Sequence, residues 1–186
     1  MHAPLIVLRN RKTRTAEFRK FANELAVILA KEARRRLRKE HSEQAHKIVL
    51  VPILRAGLAL LPAFLQTFPD ARVGFIGLKR NEKTFKPKAY YQNFPAVSKN
   101  DHVIVLDPML ATGGSAVAGI TALMKAGATE KNIMFVGVIS APEGLAVLQK
   151  KFPHVDMLIG AHDEKLDKHE YIVPGLGDFG DRYFGT

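Results

Sequence analysis

The chain reads as an α/β protein with a doubly wound, mainly parallel sheet of five strands. Three observations predict this. Short runs rich in Val, Ile and Leu recur at 48–54, 73–78, 103–106, 133–139 and 155–160. Stretches of helical period stand between them in three of the connections, and strands alternating with helices imply a parallel sheet. The third run also ends in an acid, a short loop, two glycines and a new helix, which marks a ligand edge at the carboxyl ends of the strands.

With 186 residues, a single domain spanning 1–186 has ample chain for one sizeable core. Thr15 is placed to cap a first helix, with Glu17 in its favourable first turn. Phe18, Phe21, Ala22, Leu25, Ile28 and Leu29 then recur at helical spacing, giving one apolar face. The basic and polar stretch Arg34–His46 reads as a linker, so 15–46 is helix plus linker and 47–161 is core. Within the core, Ile48–Leu54 reads as a buried strand, Gly57–Leu65 as a short helix and Val73–Leu78 as a second strand. Residues 79–100, with Lys, Asn, Pro and the pair Tyr90 and Tyr91, lack a period and read as an irregular arm. Strand 103–106, helix 115–126, strand 133–139, helix 142–151 and strand 155–160 complete the alternation. Residues 162–186 form a glycine- and aromatic-rich tail.

The strand-to-helix junction at 103–116 carries the most chemistry. A helix start leaves backbone N–H groups unpaired and bears positive partial charge, so an anion is favoured there. Gly113 and Gly114 let the backbone close around phosphate oxygens, and Thr112 and Ser115 add hydroxyl donors. The Gly-x-Gly-x-x-Gly and Gly-x-x-x-x-Gly-Lys-Ser/Thr loops are both absent here. Asp107, just before the cradle, would repel a bare phosphate but can accept two hydroxyls. A ribose 5-phosphate unit has that shape, with phosphate in the loop and diol on the acid.

Asp107–Ser115, in the form Asp-Pro-Met-Leu-Ala-Thr-Gly-Gly-Ser, resembles the phosphoribosyl diphosphate (PRPP) loop of type I phosphoribosyltransferases. Val51–Gly57 and Tyr171–Arg182 resemble the uracil phosphoribosyltransferase family in particular, so that the match covers roughly residues 15–186. The resemblance implies transfer of a phosphoribosyl group from PRPP to uracil, giving UMP and diphosphate in pyrimidine salvage. It implies PRPP contacts from Arg55, Arg80, Asp107, Pro108, Met109, Leu110, Ala111, Thr112, Gly113, Gly114, Ser115 and Asp178. Uracil contacts fall to Ile172, Gly177, Asp178 and Phe179, which makes the tail the base-binding segment, with Asp107 and Asp178 as the catalytic carboxylates. Asp107 would hold the ribose diol. Asp178 would steady the positive charge on the sugar, hold a hydroxyl or orient metal-bound water. The last is preferred to proton abstraction, because an Asp near ~3.9 is a weak base. Mg2+ is the implied cofactor, riding on the diphosphate with little direct protein ligation. A homodimer or higher homo-oligomer is expected, and GTP is a candidate effector.

The net charge of +10 calls for an anionic partner. The excess sits in two groups: Lys31, Arg34, Arg35, Arg36, Arg38 and Lys39 near the end of the first helix, and Lys79, Arg80, Lys83, Lys86 and Lys88 around the arm. The first reads as a solvated face near the negative end of its own helix, the second as a steering field for PRPP. Charge also motivates the competing class, a phosphoribosyltransferase-like RNA-binding regulator responding to UMP. Nucleic acid is the weaker reading, because no site residue is lost. The cluster His162, Asp163, Glu164, Asp167 and His169 lacks metal spacing and reads as a solvated turn. The chain has no cysteine, no apolar run near the ~18 residues of a membrane span and no signal-peptide pattern at Met1–Pro4, so the expected compartment is the cytoplasm.

Overall fold

A computed structural model describes residues 2–40, 47–80 and 87–186. Helix α1 (His2–Arg9), unforeseen in the sequence, precedes α2 (Thr15–Glu40). The first bond of α2 runs from the Phe18 N–H to the Arg14 carbonyl, so Arg14 rather than Thr15 stands at its start. Nor does α2 stop near Arg34. Arg and Lys are good helix formers, and Glu32 reaches forward to Arg35 and Arg36 at i+3 and i+4. Arg36 also bonds Asp156 at 2.7 Å. The rest of the expected linker, 41–46, lies outside the described residues.

The strands follow as β1 (Ile48–Leu54), β2 (Arg72–Val73), β3 (Phe75–Arg80), β4 (Pro87–Asn93), β5 (His102–Leu106), β6 (Met109–Leu110), β7 (Ile133–Ser140) and β8 (Asp156–His162). In space the order is β4-β3-β1-β5-β7, with β8 outside β7. β2 shares the β3 lane and β6 continues the β5 lane along β7. All pairings in this sheet are parallel except β3 with β4. The five expected strands are therefore present as five parallel lanes. The expected irregular arm is in part a sixth, antiparallel lane, with Phe75–Arg80 opposite Asn93–Pro87. Its Lys and Tyr content hides the pairing, since an edge strand keeps polar residues on its open side. Residues 81–86, and with them Lys83 and Lys86, lie outside the described residues.

Alternate residues of the central strands feed two cores. Ile48, Leu50, Ile104, Leu106, Val136 and Val138 pack with α2 and with α3 (Leu61–Thr67) on one face. Val49, Val51, Ile53, Val103, Val105 and Phe135 pack on the other face, with α4 (Gly114–Lys125) and α5 (Pro142–Lys151). Both faces are covered, so these strands are continuously apolar. Alanines 22, 26, 30 and 33 line the buried side of α2. No described helix is long and apolar enough to cross a membrane.

The chain leaves β1 toward the α3 face and leaves β5 toward the α4 face. These two strands are neighbours, paired from Ile48–His102 to Pro52–Leu106. Diverging connections open a crevice at their carboxyl ends, the switch point of an open α/β sheet. Gly57, in a 3₁₀ turn over Ala56–Ala59, packs directly against this seam. A Cβ on it would stand 2.2 Å from the Leu106 carbonyl oxygen and 3.1 Å from Pro52. Gly57→Ala is therefore expected to destabilise the protein by ~1–3 kcal/mol, read as a lower urea midpoint. An unchanged midpoint would show that the seam can open without cost.

Candidate active site

Three segments converge on the crevice. The first is the loop after β1. Arg55 follows a cis Leu54–Arg55 peptide and donates from Nη2 to Asp181 Oδ1 at 3.1 Å, with its guanidinium 5.7 Å from the Phe184 ring centre. Both partners belong to α6 (Phe179–Phe184), a second helix the sequence did not announce. The Arg55–Asp181 pair is more than half exposed on each side, so it contributes little to stability and leaves the guanidinium open to exchange partners.

The second segment is the 107–115 loop, whose first half is tied to β7. The Pro108 carbonyl accepts from the Val138 and Ile139 N–H groups at 2.8 and 3.1 Å, and the Leu110 carbonyl accepts from Ala141 at 3.0 Å. Leu110 is buried in the α4–α5 core, and Met109 and Ala111 pack against the opposite one. Of the nine residues expected to bind PRPP here, Pro108 through Ala111 thus build the loop, while Asp107 and Thr112–Ser115 offer its polar groups. Gly113 caps α4 at φ 81° with no side-chain acceptor, a left-handed turn that glycine adopts at no steric cost. The cap residue therefore offers the first turn no competitor for an incoming anion.

Asp107 stands at the mouth of this loop. Burial of its carboxyl pushes the pKa up from 3.8 to about 7, and the nearby charge of Asp178 pushes the same way. A bond from the Met109 backbone N–H works against both. Asp178 is thus near enough for its charge to act on Asp107. Asp178 is solvent-exposed and caps α6, with Oδ1 accepting the Asp181 N–H at 2.8 Å. Among the described residues no three His, Cys, Asp or Glu side chains converge to hold a metal ion.

The third segment is the tail. β9 (Lys165–Leu166) and β10 (Ile172–Val173) form a small antiparallel pair, joined by a turn in which Asp167 Oδ1 accepts the His169 and Tyr171 N–H groups. Ile172, Leu176 and Phe179 are buried in the core that Met109 and Ala111 also touch. A Cβ on Gly180 would stand 3.7 Å from Ala56 Cβ, which puts the start of α6 against the β1 loop. The 107–115 loop and the tail therefore pack on one core at the same edge of the sheet.

Two of the expected uracil contacts, Phe179 and Ile172, have buried side chains. The Phe179 ring is buried, edge-on to Phe18 at 5.2 Å and stacked on Tyr183 at 6.1 Å. The Ile172 side chain is likewise in the core. Any contact from either residue to a base is made by the backbone. Arg80 lies at the end of β3, one lane from β1, and its side chain is outside the described atoms. Tyr90 and Tyr91 are exposed on β4, with the Tyr90 ring lying across Gly77.

The sequence reading missed several residues that organise the tail. Asp163, expected in a solvated turn, is buried and binds Arg9 of α1 and the Gly175 N–H. Arg182 donates to the carbonyls of Leu8, Leu176 and Asn10 and lies 4.3 Å from the Phe18 ring centre. The Arg9–Asp163 and Arg182–Leu8 partners are 154 and 174 residues apart along the chain, and no local pattern announces them.

Known proteins share both sequence and fold with this chain. An uracil phosphoribosyltransferase of Finegoldia magna is 45% identical, over 98% of this chain and 92% of that protein. The Lactococcus lactis strain IL1403 uracil phosphoribosyltransferase is 43% identical over the same shares. The solved AQ2163 protein of Aquifex aeolicus superposes with a TM-score of 0.90 at 36% identity, over 100% of this chain and 96% of that one. A purine phosphoribosyltransferase of Pyrococcus horikoshii, at 20% identity and a TM-score of 0.58, shares the fold. The family model for uracil phosphoribosyltransferase matches residues 1–186 from end to end, and with the loop, the cleft and these relatives in agreement the chain belongs to the uracil phosphoribosyltransferase family.

Proposed function

We propose that the cleft at the β1–β5 switch point is where this enzyme joins uracil to PRPP, releasing UMP and diphosphate. What supports the proposal is that the Asp107–Ser115 loop and the 172–179 tail pack on one core, with the start of α6 against the β1 loop. In this reading the 5-phosphate sits at the uncapped start of α4, on the N–H groups and hydroxyls of Thr112–Ser115. Arg55 exchanges Asp181 for the diphosphate, which a planar fork can grip bidentately, and Arg80 approaches the same group from the next lane. Asp107 accepts the ribose diol. Backbone groups of Ile172, Gly177 and Phe179 meet the edge of uracil, whose N3–H donor cytosine lacks. A carbonyl facing cytosine N3 would be left unpaired, at a cost of ~1–3 kcal/mol.

The reaction forms the bond from uracil N1 to the anomeric carbon and breaks the bond from that carbon to the diphosphate oxygen, which leaves with its electron pair. N1 gives up its proton to the departing diphosphate or to solvent. Asp178 is held by its own helix cap beside the sugar, where its carboxylate offsets the positive charge developing on the ring. Asp107 and Asp178 would meet the water shell of a Mg2+ delivered on the diphosphate, which would neutralise the leaving group. Homo-oligomerisation is part of the same proposal, supported by the open edge of β4 with its exposed Tyr90 and Tyr91. A GTP effector rests on the family resemblance alone.

With PRPP and Mg2+, purified protein is expected to form UMP from uracil and no nucleotide from cytosine, hypoxanthine or orotate. Absence of UMP would end the proposal. Asp107 adds a pH signature. Its carboxyl titrates near 3.8 in the unfolded chain and at about 7 in the fold, so the folded state holds the proton more tightly. Stability of the ligand-free protein should fall as pH rises through that window, and level off above it. Asp107→Asn should flatten this slope and melt higher than the parent at pH 8, while losing transferase activity. A variant melting below the parent at pH 8 would contradict the assignment.

A further inference from the structure

The geometry points to Arg9 and Asp163 as positioning residues for the base: they clamp Gly175 and so fix the separation of the Ile172 and Gly177 backbone groups. This inference rests on the reading of residues 172–179 as the uracil site. Asp163 follows β8, and its side chain is only 1% exposed. Its Oδ2 accepts the Gly175 N–H at 2.8 Å and Arg9 Nη1 at 2.8 Å, and its Oδ1 accepts Arg9 Nη2. The same Arg9 Nη1 donates to the Gly175 carbonyl at 3.0 Å. Both polar groups of one peptide residue are therefore held by one ion pair, a closed ring of guanidinium, carboxylate and backbone.

Gly175 occupies a position only glycine fills easily. Its φ is 64°, and a Cβ there would stand 2.0 Å from the Ile172 carbonyl oxygen. Ile172 and Gly177 lie on either side of it in the chain. Rotation at Gly175 would swing one of their backbone groups relative to the other, and a planar base meets both at once only at one separation. The next carbonyl is held as well: Leu176 accepts from Arg182 Nη1 at 2.6 Å, and Arg182 Nη2 reaches the Asn10 carbonyl at 2.8 Å. Helix α1 thus reaches the tail through Arg9 in one direction and through Arg182 in the other.

Asp163 is anchored from below. Its own N–H donates to the Ser140 carbonyl at 2.8 Å, and Ser140 Oγ lies 2.8 Å from Nδ1 of His162. Arg9 and the Gly175 N–H together outweigh the penalty of burying the carboxylate, so it stays ionised. A buried ion pair that serves stability alone can often be replaced, both partners together, by well-packed apolar residues without loss. Here both charges point at a backbone segment of the proposed base site, where a displacement of an ångström costs rate or affinity.

The test separates uracil from PRPP in steady-state kinetics on the full chain. Arg9→Met and Asp163→Asn are each expected to raise the KM for uracil on the order of tenfold, with the KM for PRPP within about twofold of the parent. Arg9→Lys keeps the charge beside Asp163 but cannot fork to the Gly175 carbonyl as well, so it should fall between parent and Arg9→Met. It also keeps the carboxylate paired, and it carries the test if the other two fail to fold. Parallel increases in both KM values, or an unchanged uracil KM in Arg9→Lys and in any other variant that folds, would overturn the clamp. If the parent itself forms no UMP, the base-site reading fails first. If the parent is active and the variants keep its uracil KM, only the clamp fails.

Discussion

The parallel pairing of β1 with β5 is the constraint from which the site follows. Five register pairs, Ile48–His102 through Pro52–Leu106, hold the strands side by side while their connections leave to opposite faces. No helix can then cover the carboxyl end of that seam, and polar loops fill it. Gly57 lets the Arg55 loop close against the Leu106 carbonyl, so that the loop and Asp107 start from one edge. Burial at that edge raises the Asp107 pKa.

In the proposed reading, the tail supplies the base specificity on a fold that this chain shares with a purine phosphoribosyltransferase. Its backbone is shaped by residues that never face the cleft. Phe179 and Tyr183 stack and, with Phe18, seat α6 on α2, so an aromatic cluster rather than a pocket wall determines where residues 177–179 stand. Asp163, Arg9 and Arg182 then fasten the carbonyls of residues 175 and 176 to the N-terminal helix. Such an arrangement suits reading by main-chain groups, because the donors and acceptors are already ordered before a ligand arrives.

Much of this was legible in the sequence, and the remainder was hidden for physical reasons. Strand Ile48–Leu54 and helix Pro142–Lys151 fall where apolar runs, Pro and period put them, because both are long enough to show their pattern. The strand-to-helix junction at 107–115 was legible because acid, glycines and hydroxyls sit within nine residues. Helix α2 runs past Arg34 because charged residues extend a helix as well as they populate a loop. β9 and β10 have two residues each, too short for any alternation to appear. Asp163 was misread because its meaning depends on an arginine 154 residues away.

Co-crystallisation with UMP tests the account most directly. The phosphate is expected against the Thr112–Ser115 backbone, the ribose hydroxyls on Asp107, and the pyrimidine edge within hydrogen-bonding distance of main-chain atoms of Ile172 and Gly177. A nucleotide seated with its phosphate in that loop and its base turned away from 172–179 would contradict it.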